Sequence, residues 1–316
     1  MLLSIKALFL PIVFIFLYGS GFVFTAYGLE NSSPMAFLAL RFFIAFFILL
    51  IIATILKVQW PKTIIEFLHI SMAGLLTVGI FSIGVFLSIS FGISASLSAL
   101  IIALQPIIVT FLAVKFLGEK FTIKIILGLL LGVLGVAFVV SSKIEVSNTH
   151  IYGIFFSVIA LLGLSFGNIY QKKYCSNMNL YSGGAIQTLA STILVLPLLL
   201  FAEEIDITFN SDFIIALMYM SVGVSIGALS LLYVMINKGK ISKVSSVFYM
   251  MPVCAALISY LLFGTNIDIS MFIGITFVLI GIVLINKKMI VTYINVKINI
   301  KYKKYIKDKN ENSNFR

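Results

Sequence analysis

An all-α polytopic membrane fold, ten transmembrane helices arranged as two inverted five-helix repeats, is the architecture this 316-residue sequence predicts. Three observations carry the expectation. The chain is oily: 61% of its residues are hydrophobic, 10% are charged, and its mean hydropathy is +1.17, far from a soluble domain. Its apolar residues gather in ten runs near the roughly 20 residues that cross a hydrocarbon core of about 30 Å. Its second half repeats scarce glycines and prolines of the first at one constant offset.

In order, the runs lie near 7–28, 34–56, 67–90, 94–115, 122–141, 151–170, 182–201, 212–236, 244–264 and 270–286. A bilayer offers no water to backbone N–H and C=O groups, so each run satisfies its own as a helix. Barrel strands would alternate polar and apolar side chains over about ten residues, and none of these runs does. The first is too long for a signal peptide and lacks a small-residue cleavage site before Glu30, so it is read as a retained span. Loop charge alternates. After even-numbered runs come Lys57 and Lys62, then Lys115, Lys120 and Lys124, then Lys172 and Lys173, then Lys238, Lys240 and Lys243. After odd-numbered runs come Glu30, then no charge, then Lys143 with Glu145, then Glu203, Glu204, Asp206 and Asp212, then Asp268. Short basic loops stay on the cytoplasmic side, which places both termini in the cytoplasm. The tail from Lys287 to Arg316 holds nine basic residues and most of the net charge of +11; an anchor on anionic lipid is expected there rather than a nucleic-acid site. Two cysteines, Cys175 and Cys254, give no disulfide framework.

The repeat appears when 98–136 is set on 244–282 at a shift of 146 residues. Pro106 then falls on Pro252, Gly118 on Gly264, Gly128 on Gly274 and Gly135 on Gly281; the same shift puts Asn31 on Asn177 and Arg41 on Gln187. Five spans per copy is an odd number, so the second copy enters the membrane from the opposite side. Two similar halves of opposite orientation can exchange conformations about a central site, which is the logic of a transporter. The units are 1–143, 144–288 and a basic tail, 289–316.

The residues also resemble a family. LYGSGFVFTAYGLE (17–30) is similar to the first-helix motif of EamA-type transporters of the drug/metabolite transporter superfamily, PMAFLALRFFIAF (34–46) to its Arg-Phe motif, and GISASLSALIIALQPIIVTFLAVKFLGEK (92–120) to its fourth-helix signature. The second half departs more, with Met251 where an acidic residue often precedes the proline and Thr265 where a Gly-Glu pair would be. The resemblance implies a bacterial-type carrier of a small molecule in the inner membrane, monomeric or homodimeric, with spans five and ten outside the substrate path. A membrane-embedded enzyme, a lipid-handling protein or a non-transporting scaffold would be the alternatives.

Catalysis is not expected, because no nucleophile with a base and no metal cluster is visible, and no cofactor is implied. The two histidines, His69 and His150, fall at opposite membrane faces. No Asp or Glu lies inside a run, so coupling through a membrane-buried carboxylate is not expected either. The candidate substrate-binding residues are the polar ones near mid-depth: Gln105, Tyr249, Asn168, Gln187, Ser20, Tyr18 and Arg41, with Ser165 beside them. Pro106 and Pro252 are expected to break their helices and expose backbone. Gly128, Gly132 and Gly135, Gly163 with Gly167, and Gly223 with Gly227 are read as packing faces, Gly118 as a helix terminator, and Glu119 as a partner for nearby lysines. Arg41 lies seven residues into its span, about 10 Å deep, where it either snorkels outward towards Glu30 or serves a gate or substrate.

Overall fold

The computed structural model describes residues 2–120, 122–140, 148–264, 269 and 272–285. They form ten helical rods: α1 (Leu2–Leu29), α2 (Pro34–Ile55), α3 (Ile64–Ser90), α4 (Ala95–Leu117), α5 (Ile123–Val140), α6 (Asn148–Tyr174), α7 (Leu180–Phe201), α8 (Ser211–Lys238), α9 (Ile241–Leu262) and α10 (Phe272–Ile285). Among the described residues eight rods are long and apolar enough to cross a membrane; the apolar stretches of α5 (Ile123–Gly135) and α10 are shorter. An isolated bridge between Ser32 and Ile207 is the only extended pairing among them. The basic tail, the Lys143 and Glu145 loop, and Thr265 and Asp268 lie outside the described residues.

Helix starts follow side-chain chemistry. Ser94, Asn179 and Asn210 each accept a hydrogen bond from a backbone N–H of the first turn they precede, at 3.2, 2.9 and 2.8 Å. Gly118 (φ 65°) and Gly264 (φ 63°) close α4 and α9 in the left-handed region that only glycine enters cheaply; they are repeat partners. Pro106 and Pro252 open the second segments of those helices. The α4 ladder is interrupted at Ala103 and Leu104, and α9 passes through a 3₁₀ turn at Ser246–Met250. A π-helical stretch runs over Leu75–Ile80 in α3 and another over Tyr219–Ala228 in α8, again overlapping under the 146-residue shift.

The two halves interlock. α2 lies along α7 in the most extensive contact of the fold, α1 packs on α8 and α9, and α6 packs on α3 and α4. Small residues allow the closest approaches. A Cβ on Gly21 would meet Val224 at 3.2 Å, and one on its repeat partner Gly167 would meet Thr77 at 2.5 Å, so each glycine lies on the π-helical stretch of the other half. A Cβ on Gly128 would sit 2.7 Å from the Gly281 oxygen, and one on Gly135 would sit 2.5 Å from the Gly274 oxygen. With Gly128 matching Gly274 and Gly135 matching Gly281 in sequence, that α5–α10 contact is reciprocal.

Loops of one charge meet at each end. At the acidic end Ser33 N–H donates to the Asp206 oxygen at 2.8 Å, Thr208 N–H to the Asn31 oxygen at 2.8 Å, and the Glu203 carboxylate takes the N–H groups of Met35 and Ala36 at the start of α2. At the basic end Ser182 Oγ donates to the Gln59 oxygen at 2.7 Å, and Lys172 Nζ to the Ile236 and Asn237 oxygens. Glu119 takes the N–H of Ile241 at 2.8 Å and the Ser242 hydroxyl. Its partner is therefore the start of α9 and not a lysine, because a helix N-terminus offers free N–H groups and a favourable dipole at fixed geometry.

Candidate functional site

Arg41 sits on α2 one turn past Phe37, on the face that packs against α7 and α8, so its guanidinium is carried inward among helices. It is 3% exposed. Nε donates to Ser225 Oγ in the π-helical stretch of α8 at 2.9 Å, and the cation lies 6.0 Å from the centre of the Phe86 ring. Among the described residues no carboxylate pairs with it, so the outward-snorkelling arrangement with Glu30 does not occur. The side chain turns inward to Ser225 instead.

Beside it is a small, partly open cavity of about 20 Å³, lined by Tyr18, Gly21, Phe22 and Thr25 of α1, Arg41, Phe81, Ser82, Val85 and Phe86 of α3, and Met220 and Val224 of α8. Two hydroxyls in this lining, on Tyr18 and Ser82, are buried without any hydrogen-bond partner. The Tyr18 ring is fixed by stacking on Phe81 at 5.7 Å and by edge contact with Phe248 at 5.6 Å, so its hydroxyl has a set direction. Thr25 spends its hydroxyl on the Gly21 carbonyl at 2.8 Å. The cavity thus combines one cation, two unspent hydroxyls and apolar or aromatic walls.

A second, smaller cavity of about 10 Å³ is lined by Leu49, Val78, Leu180, Gly184, Gln187, Thr188, Ser225, Leu229, Ser230 and Tyr233. Gln187 there donates to Gln171 Oε1 at 2.9 Å while its own Oε1 is unpartnered. Arg41 and its repeat partner Gln187 each line one cavity, as do Val224 and its partner Val78. The Arg41–Ser225 bond stands between the two spaces.

The structure brings Tyr18 and Arg41 together and puts Gln187 in the adjoining cavity. Ser20, two residues along α1 and so about half a turn round it, points elsewhere and shares a 2.5 Å hydrogen bond with Tyr219. Tyr249 is fully buried against α5, its ring over Gly132 and its hydroxyl donating to the Leu129 oxygen at 3.1 Å, and it lines neither cavity. Gln105 and Asn168 also line neither, although both Gln105 amide atoms and Asn168 Oδ1 are buried and unpartnered. Ser165 returns its hydroxyl to the Leu161 oxygen. Ser82, Ser225, Phe86 and Tyr233 were not singled out by sequence, since serine and aromatic residues are ordinary in membrane helices. Among the described residues no group of His, Cys, Asp and Glu is placed to hold a metal. His69 bonds to Tyr170 at 2.7 Å near the end of α6, whereas His150 stands at its start, some twenty residues or about 30 Å away.

The model of the EamA-like transporter family matches residues 5–141 and again 151–287. The chain belongs to the EamA-like transporter family. Similar proteins include an uncharacterized transporter of Bacillus subtilis, YvbV, 24% identical over 87% of this chain and 89% of that one. Another, from Escherichia coli, is named "Probable amino-acid metabolite efflux pump" and is 21% identical over 94% of this chain and 97% of that one. A protein known from its crystal structure shares the fold, with a TM-score of 0.73 at 15% identity over 88% of this chain and 96% of the other. This EamA-like chain is therefore a multi-pass membrane protein of a transporter family, with the family unit present twice.

Proposed function

We propose that this chain is a secondary transporter that moves a small organic metabolite or drug-like compound across the inner membrane by alternating access, as a monomer or homodimer, with ten spans in two inverted repeats (1–143 and 144–288) and both termini cytoplasmic. One observation carries the reading: the two cavities lie between the halves, at the π-helical stretches, on either side of a single Arg41–Ser225 bond. A ligand in such a place touches both repeats, so its contacts change when the repeats rock. The reciprocal Gly128–Gly281 and Gly135–Gly274 contacts support the inverted relation, because an antiparallel pair about a two-fold axis produces that pattern.

The amino-acid metabolite named for the Escherichia coli relative supplies a starting library. Gln187 and Tyr18 are assigned to the path together with Arg41, and Tyr249 to scaffold packing. Purified protein in vesicles should give saturable flux of at least one member of an amino-acid and amino-acid-derivative library, accelerated by the same compound on the far side. Flux no faster than protein-free vesicles for every member would contradict the reading.

A further inference from the structure

We infer that the Arg41 cavity is an anion subsite, and that its ligand is a small organic monocarboxylate with an apolar or aromatic body. This deepens the transporter reading and rests on it for the ligand's passage, though not for its binding. The cavity holds one permanent cation and no acidic side chain, so a ligand with a single negative charge neutralises it, while a cationic one meets uncompensated repulsion. With Nε committed to Ser225, the outer edge of the guanidinium has no hydrogen-bonded partner among the described residues, and that edge matches the two oxygens of a carboxylate. The unpartnered hydroxyls of Tyr18 and Ser82, 3% and 2% exposed, line the same space as ready donors to an anion. A buried donor without a partner is costly, and two in one cavity beside a cation are satisfied together by one carboxylate. The walls set the remainder of the ligand. Phe22, Phe81, Val85, Phe86, Met220 and Val224 offer apolar contact and nothing acidic to hold an ammonium group, so the site favours a carboxylate over the corresponding zwitterion.

The test is binding to purified full-length protein in nanodiscs, read as thermal stabilisation over a millimolar titration. Four probes share one ring and differ in charge: phenylpyruvate (anion), phenylalanine (zwitterion), phenylacetamide (neutral) and 2-phenylethylamine (cation). Phenylpyruvate should stabilise most, and Arg41→Gln should weaken it tenfold or more, with Arg41→Lys between. Tyr18→Phe, which keeps the stacked ring and removes only the hydroxyl, should weaken it severalfold and serves if Arg41→Gln does not fold. Stabilisation led by the zwitterion, amide or amine, stabilisation by phenylpyruvate that survives both Arg41→Gln and Tyr18→Phe, or no response to phenylpyruvate would each overturn the subsite. Saturable flux of some compound indifferent to Arg41→Gln would overturn the subsite and leave the carrier intact. Carboxylate binding without flux of any compound would do the reverse.

Discussion

An arginine held at 3% exposure inside an apolar bundle, with one serine for a hydrogen-bond partner, is a position that costs roughly 2.5–3.5 kcal/mol on membrane-insertion scales. That cost is retained only where the cation has a use or has no cheaper replacement. Substitution separates the two. Removing an uncompensated buried charge should leave the resting protein as stable or more so, so Arg41→Gln is expected to keep or raise the thermal midpoint while abolishing flux; a drop in midpoint of several degrees would mark Arg41 as structural. Cys175 gives a second residue-scale expectation. Packed with Ile70, Ala73 and Ile186 in the loop after α6, its thiol is pushed by burial up to about 12. The protonated form is favoured in the folded state, so this group's contribution is whole below the ordinary thiol value of about 8.5 and is withdrawn as pH rises towards about 12. Maleimide should therefore label Cys175 slowly at pH 7 in native protein and rapidly once it is unfolded. At this scale the sequence exposes charge better than neutral polarity. Arg41 stands out in PMAFLALRFFIAF, whereas Ser82 and Ser225 look like the many serines that return their hydroxyls to a carbonyl one turn back, as Ser165 and Ser221 do.

Among the described residues α3, α4, α8 and α9 depart from regular α-helix. The paired interruptions in α4 and α9 follow from Pro106 and Pro252, which remove a backbone donor and clash with the preceding turn, and that much is legible from sequence. The π-helical stretches are not: nothing in Leu75–Ile80 or Tyr219–Ala228 marks an extra residue per turn, because the stretch is fixed by what packs on it from the other half. Glycines divide in the same way. Gly128 and Gly135 meet backbone across α5 and α10, while Gly223 meets only the Tyr219 ring at an ordinary 3.5 Å. Gly135→Ala, facing a carbonyl that cannot swing away, should cost about 1–3 kcal/mol in thermal or denaturant unfolding, and Gly223→Ala little. Two carboxylates tie elements across the halves, Glu119 onto the start of α9 and Glu203 onto the start of α2. Replacing Glu119 by Gln keeps the shape and removes the charge. The expected loss is roughly 1–2 kcal/mol of unfolding free energy, read as a lowered thermal midpoint, with Ile241 amide exchange accelerated at the basic end and that of Met35 unchanged at the other.

Across the whole molecule, composition and apolar run length were enough to read a helical membrane protein, and the 146-residue shift was enough to read the doubling that the family match to 5–141 and 151–287 bears out. Which polar residues share a cavity was not legible, since Gln105, Asn168 and Tyr249 look as suitable in sequence as Tyr18 and Arg41, and only the interlocking of α1 and α2 with α3 and α8 sorts them. If the ligand is a monoanion and no carboxylate in the spans carries a proton, net charge moves with each turnover. Flux in vesicles should then respond to an imposed membrane potential, worth about 2.3 kcal/mol per charge per 100 mV, and be indifferent to a pH gradient at zero potential. Rocking of the two halves about the cavity pair does not depend on the ligand's identity. It is tested by spin-label distances across the acidic end, between labels at Ser33 and Asp206, in a background with Cys175 and Cys254 replaced, with and without a disulfide locking Glu119→Cys to Ser242→Cys at the basic end. Two distances are expected at the acidic end without the lock, with a shift towards the longer one when it is closed; a single distance that the lock leaves unchanged would rule the rocking motion out.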